Sequence, residues 1–201
     1  MQKSLTFKNA NISFSDQGTG TAVILIHGFL ENATMWKNVI PEISKRNRVV
    51  TIELLGHGKT DCIGYMHTME LFAETIAAVL KELKIRKCIL VGHSLGGYIA
   101  LAFAEKHPQK VKGLCLMNAT SNEDTSERKA LRLRANKMIT SNFRNMVRMS
   151  FSNLFGLKSK TIFKKEIELA VSEALQTPVQ GYIAAQEGMQ LRANRNHVLT
   201  D

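Results

Sequence analysis

Ser94 sits in the run Gly92-His93-Ser94-Leu95-Gly96, a spacing that suits a nucleophile attacking an acyl carbon. An apolar run over residues 88–91 precedes it, and a helical pattern over Leu95–Lys106 follows it. A serine at so sharp a strand-to-helix turn takes a strained backbone conformation, and its hydroxyl projects clear of the chain. Gly92 and Gly96 suit that turn because a side chain at either position would collide with neighbouring backbone. The helix that follows points its N-terminus at the serine and favours developing negative charge there. The backbone N–H of Leu95 can then donate to the oxyanion of a tetrahedral intermediate. A second donor must come from another loop. His27-Gly28-Phe29, at the end of an earlier apolar run, offers the N–H of Phe29. Each such donor is typically worth ~10²–10³ in rate. This chemistry calls for no cofactor and no metal.

The elements that must carry these residues alternate along the chain. Two short alternating stretches, near residues 5–7 and 12–14, read as strands, and Asp16-Gln17-Gly18-Thr19-Gly20 reads as a turn. Continuous apolar runs at residues 22–26, 49–52 and 88–91 and at Val111–Met117 fit strands buried on both faces. Helical patterns lie between them: residues 34–45, interrupted near Pro41; residues 71–83; and Leu95–Lys106, stopped by His107-Pro108. Strands alternating with helices predict an α/β fold with a mostly parallel, doubly wound sheet. The two donor loops then meet at the carboxyl edge of that sheet, where open α/β sheets place ligands. After Met117 the character changes. Residues 126–193 read as all-helical, with Gly156, Pro178 and Gly188 as punctuation. Met138, Met146, Met149, Leu154 and Phe155 give this stretch a loose apolar face, suited to covering an apolar pocket or to ordinary core packing.

Four pieces together resemble the α/β-hydrolase superfamily, in its cap-bearing serine hydrolase branch. They are His27-Gly28-Phe29 with downstream Trp36; Glu53-Leu54-Leu55-Gly56-His57-Gly58-Lys59-Thr60; Gly92-His93-Ser94-Leu95-Gly96-Gly97; and His107-Pro108. Glu53 stands where the family usually has Asp, and Thr60 where it usually has Ser. The serine at position 94 argues against the branches that use an aspartate nucleophile. The resemblance implies a core over residues 1–120, a helical cap over 121–190, and a lead-in over 191–201 to a C-terminal part of the core. It also implies two strands after the cap, one followed by the acid and the other by the catalytic histidine, in the order Ser, acid, His. Residue 201 falls about where the acid-bearing strand is due, so the last two strands of the family fold are expected to be missing and the chain to be C-terminally truncated.

Within the 201 residues the base and the acid have only weak candidates. His93 neighbours Ser94, but adjacent residues on a tight turn point apart. His27 and His57 lie in loop motifs where a structural role is usual. His67 and His107 lie at predicted helix ends and read as exposed. His197 qualifies only where the tail folds back. After Met117 the chain offers Asn118, then Glu123 and Asp124, which read as solvated loop charges. The function expected is a serine hydrolase acting on a small ester or related acyl substrate through an acyl-serine intermediate. The competing expectation is a catalytically silent ligand-binding protein of the same fold.

The bulk properties bound the partners. The formal charge is +10 over 201 residues. It is spread evenly, with 14 Lys/Arg against 9 Asp/Glu in residues 1–120 and 13 against 8 in residues 121–201. The one dense basic stretch, residues 128–165, is accompanied by no nucleic-acid-binding motif, so it reads as a solvated helical face. The expected partner is a small acyl substrate, with no nucleic acid and no membrane. Cys62, Cys88 and Cys115 have no paired spacing and read as buried free thiols. No apolar stretch at the start suits a signal peptide, and none reaches the ~18 residues of a membrane span. The expected location is cytoplasmic.

Overall fold

The structure, a computed structural model, describes residues 2–200. Strands β1 (Gln2–Phe7) and β2 (Ala10–Gln17) pair antiparallel across a two-residue turn, Lys8-Asn9, with φ of 48° and 64°. Two positive-φ residues match the twist of the strands they join. Then come β3 (Thr21–Ile26), α1 (Ile40–Ile43), β4 (Asn47–Ile52), α2 (Met69–Glu82), β5 (Cys88–His93), α3 (Leu95–Lys106) and β6 (Val111–Met117). The sheet order is β1-β2-β4-β3-β5-β6. β4, β3, β5 and β6 run parallel, and β2 joins β4 antiparallel. The mostly parallel α/β sheet read from the apolar runs is the one observed. From β3 the chain steps to β4 on one side, then crosses to β5 and β6 on the other. The loops after β3 and β5 therefore face each other across the point where the winding reverses.

Helices cover one apolar face of β3, β4 and β5; on the other face β3 and β4 are buried, while Ile89 and Val91 of β5 are half-buried. Ile24, Ile26, Val50, Ile52 and Leu90 join Phe72, Ile76, Ile99 and Phe103 of α2 and α3 in the main core. Val23, Leu25 and Val49 pack against Trp36 on the opposite face. Residues 34–45, read as one helix, form a 3₁₀ turn at Ala33–Trp36 and the four-residue α1. Pro41 lies in the first turn of α1, where its missing N–H costs nothing.

Four helices follow: α4 (Ser126–Ser152), α5 (Leu157–Ile162), α6 (Lys164–Ala174) and α7 (Val179–Gln190). α4 is interrupted at Asn142, whose φ of −144° is not helical. Leu30, Ile139, Val147, Phe151, Ile167, Val171 and Tyr182 form a second apolar cluster. Gly188, read as helix punctuation, lies inside α7 instead. A Cβ there would overlap the carbonyl of His67, and one at Gly181 would overlap the carbonyl of Gly56. Both glycines let α7 press against the loops before α2, and Ala185 and Met189 thereby enter the main core.

β6 is an edge strand, with Lys112, Cys115 and Met117 exposed. Cys115 is thus not the buried thiol expected from its apolar run, because among the described residues no strand lies beyond β6. Cys88 is fully buried and Cys62 half-buried, and all three thiols are free. Among the described residues no helix is long and apolar enough to cross a membrane, and no three metal-binding side chains cluster.

Candidate active site

Ser94 stands between the last residue of β5 and the first of α3, with φ 49° and ψ −113°. That conformation is costly for any residue with a side chain. It is held by the Ser94 N–H donating to the Met117 carbonyl at 2.9 Å, and by the Gly97 N–H returning to the Ser94 carbonyl at 2.9 Å. The glycines are set by close backbone approach, as their spacing implied. A Cβ on Gly92 would overlap the Gly96 carbonyl, and one on Gly96 would overlap the Ile26 carbonyl. Gly92→Ala is expected to cost at least about 3 kcal/mol of stability, read as a lowered urea midpoint. An unchanged midpoint would mean that the elbow can open without cost.

The Gly96 contact presses the start of α3 against the end of β3, bringing the two proposed donor loops together. Neither the Phe29 N–H nor the Leu95 N–H has a hydrogen-bond partner among the described residues. Leu95 is fully buried, so its open amide is unusual. Phe29 follows Gly28 in a tight turn closed by the Glu31 N–H on the Gly28 carbonyl at 3.2 Å.

The histidines divide by partner. His27 is fully buried: its Nδ1 donates to the Gly28 carbonyl at 2.8 Å and its Nε2 accepts the Leu54 N–H at 3.0 Å. Those partners fix a neutral ring, and burial, then the neighbouring His57, pushes its pKa down to about 3. His57, also fully buried, donates through Nδ1 to the Leu55 carbonyl at 3.0 Å. Burial lowers its pKa to about 4. His67 is not exposed as its position suggested. It is fully buried, accepts the Ile63 N–H on Nε2 at 3.1 Å, and has its pKa lowered by burial to about 4. His93 places Nδ1 2.8 Å from Glu31 Oε2. The tail does fold back, but it takes His197 to Glu105 at 2.9 Å. Glu105 lies at the far end of α3, ten residues and about 15 Å along the helix from Leu95. His107 caps that same far end. No histidine among the described residues hydrogen-bonds the Ser94 hydroxyl.

Neither candidate acid stands beside a histidine. Asp124 is not the solvated charge its loop suggested. Its side chain is fully buried between Arg132 and Arg192, at 2.5 Å from each. Glu123 is exposed. Glu31, which the sequence did not single out, does reach the site. Its Oε2 accepts the Gly28 N–H at 2.6 Å as well as facing His93. Beside it a cavity of ≈ 240 Å³ is lined by Leu30, Met35, Phe151, Phe155 and Ala170, with Glu31 and Glu173 on its wall.

Glu53 makes the loop after β4 sensitive to pH. Its Oε2 accepts the Ala33 N–H at 3.2 Å and lies 3.6 Å from His27 Nε2. Burial raises its pKa to about 7, more than the Ala33 N–H and Lys59 can offset. A carboxyl whose pKa rises on folding keeps a proton that the unfolded chain has lost. Its contribution is therefore complete below about pH 4.5 and disappears as pH rises through about 7. The three buried histidines act oppositely, withdrawing stability as pH falls below about 6.5. Comparison with Glu53→Gln isolates the carboxyl. Relative to wild type, the variant should gain on the order of 2 kcal/mol in urea unfolding between pH 5 and pH 8. Parallel curves would show that Glu53 is ionised when buried.

The comparisons with known proteins fit this geometry. A sequence model described as the alpha/beta hydrolase fold matches residues 21–170. An esterase from Thermogutta terrifontis superposes with a TM-score of 0.92 at 28% identity, covering 98% of this chain and 75% of that one. A 2-hydroxy-6-oxo-2,4-heptadienoate hydrolase of Pseudomonas putida is 37% identical over 108 residues, 52% of this chain and 39% of its own. A pimeloyl-[acyl-carrier protein] methyl ester esterase of Aeromonas hydrophila is 32% identical over 105 residues, 52% of this chain and 40% of its own. The chain spans only 31% to 41% of the length of these curated relatives. With the sheet order, the strained serine and a family match over most of its length, the chain belongs to the alpha/beta hydrolase fold family.

Proposed function

We propose that this chain carries the nucleophile and the oxyanion donors of a serine hydrolase acting on small esters or related acyl substrates. Ser94 Oγ attacks the carbonyl carbon while its proton passes to a general base. The carbonyl oxygen becomes an oxyanion between the Phe29 and Leu95 N–H groups. Collapse breaks the bond to the leaving oxygen, which takes the proton from the base and departs as the alcohol. Water then adds to the acyl-serine, gives its proton to the same base, and releases the acid and Ser94. The proposal takes the base and its acid from later family strands, in the order Ser, acid, His. The helices around Phe151 and Phe155 act as a cap, and the apolar cavity beneath them suits a short acyl or alkyl group.

The observation that carries this reading is Ser94 at positive φ between two loops with unpartnered amides. A fluorophosphonate probe followed by mass spectrometry tests it. One adduct is expected, on Ser94, forming slowly in these 201 residues and faster with added imidazole, and it should be absent from Ser94→Ala. Equal labelling of Ser94→Ala would overturn the assignment. Among the described residues no histidine bonds Ser94, which leaves one other reading, a silent binder. That reading predicts saturable, non-covalent uptake of an ester with no Ser94 adduct.

A further inference from the structure

The turn that carries Phe29 is strained and tied to the elbow by one side chain. Leu30 has φ 62°, an unfavourable conformation for a branched residue. Positive φ at the third of four residues, closed from Glu31 N–H to Gly28 C=O, describes a type II turn. In such a turn the second residue's N–H is not used by the turn, which leaves the Phe29 amide free. Part of the strain is offset by burial of Leu30 against Ile139, Phe151 and Tyr182. The rest of the hold comes from Glu31. Its Oε2 accepts the Gly28 N–H at 2.6 Å, closing the turn a second time. The same oxygen lies 2.8 Å from His93 Nδ1, the residue immediately before Ser94. Both groups are mostly shielded, with side-chain exposures of 14% for Glu31 and 22% for His93. Short contacts to a carboxylate are among the stronger hydrogen bonds. A Cβ at position 28 would lie 2.5 Å from Glu31 Oε2 and 3.0 Å from His93 Nδ1, so a side chain there would displace the Glu31 carboxylate.

We propose that Glu31 is a positioning residue that sets the gap of the oxyanion hole. Its carboxylate clips the turn bearing the Phe29 N–H to the elbow bearing the Leu95 N–H. The inference rests on the Ser94 reading above for its consequence in rate, though not for its geometry. Glu31 and His93 have the chemistry of an acid–imidazole pair. His93 nevertheless makes no hydrogen bond to Ser94, so the pair holds the site and does not act as its base. A misplaced donor loses most of its value, because the oxyanion must be met at hydrogen-bond distance.

Two readouts on Glu31→Ala, Glu31→Gln and His93→Ala decide it. The first is the rate of fluorophosphonate labelling, split into the maximal rate and the probe's half-saturation. Glu31→Ala and His93→Ala should each lower the maximal rate by about 10- to 100-fold and leave half-saturation within about twofold. Glu31→Gln should recover most of the rate, since its amide oxygen still accepts the Gly28 N–H. The double variant should be no slower than the worse single one, because both remove one link. A maximal rate within about twofold of wild type in Glu31→Ala, or full additivity, overturns the proposal. The second readout is the amide spectrum. The Gly28 proton should lie downfield in wild type and move upfield in Glu31→Ala. Phe29 and Leu95 amides should move with it, while β4 amides stay fixed. If Ser94→Ala labels like wild type, the Ser94 reading fails and the spectrum alone decides the clip. Joint movement of Phe29 and Leu95 supports it, and a Leu95 amide unmoved in Glu31→Ala overturns it.

Discussion

Purified as these 201 residues, the protein is expected to hydrolyse 4-nitrophenyl acetate about 10³–10⁴-fold faster than water alone, and no faster. That residue of catalysis is what an oxyanion hole and binding retain in serine hydrolases stripped of their base. Loss of the base itself costs on the order of 10⁶ in kcat. The expectation follows from where the histidines point. His27, His57 and His67 are buried in hydrogen bonds to backbone, His93 faces Glu31, and His197 faces Glu105. Added imidazole should raise the rate, because a small neutral base can take the Ser94 proton. Ser94→Ala controls for imidazole acting directly on the ester and should lack the increment. Turnover of about 10 s⁻¹ without added base, the middle of the range for ordinary enzymes, would show that one of these histidines serves Ser94.

How much of this was legible in the sequence depended on the range of the interactions involved. The elbow was legible because its constraints are local: a strand, a turn and a helix within residues 88–106, with glycines where backbones touch. The sheet was legible from apolar runs for the same reason. Glu31 was not, since its partner His93 lies 62 positions away and neither residue type is unusual in its own loop. In sequence His67 reads as exposed because it precedes a helix. What buries it is α7, which arrives more than a hundred residues later, with its Ala184 carbonyl on the His67 N–H at 2.9 Å. Gly188 carries the matching signal, but its sequence context reads as punctuation. A glycine inside a helical pattern marks either an ending or a close approach, and only the facing loop tells which. Asp124 is the same case in charge. Its arginines lie 8 and 68 positions on, so a loop reading leaves it in water.

Asp124→Ala is expected to cost about 3–5 kcal/mol. Burial alone would raise the pKa of Asp124, but hydrogen bonds and charge from Arg132 and then Arg192 outweigh it and hold the carboxyl below the ordinary range. Arg192 is itself buried, stacks 4.1 Å over the Tyr98 ring, and donates to the Asn122 carbonyl at 3.0 Å. Removing the carboxylate leaves a guanidinium buried with backbone carbonyls as its remaining acceptors, and the penalty is that of an uncompensated charge. Total stabilities of about 5–15 kcal/mol are usual, so this is a large share. The sign with pH is set by the lowered pKa. The contribution is present above the unfolded value of about 3.9 and disappears as pH falls through the folded value, so wild type and Asp124→Asn should converge in acid. Arg195 supplies the contrast. It pairs with Glu70 and Glu105, whose side chains are 52% and 39% exposed, so Glu70→Ala should cost no more than about 1 kcal/mol. Urea unfolding of the two variants side by side decides the matter. A cost below about 1 kcal/mol for Asp124→Ala would show that Arg192 finds another partner. The larger cost would mean that this one carboxylate holds the segment after β6, α4 and the end of the chain against Tyr98, one turn of helix behind Ser94.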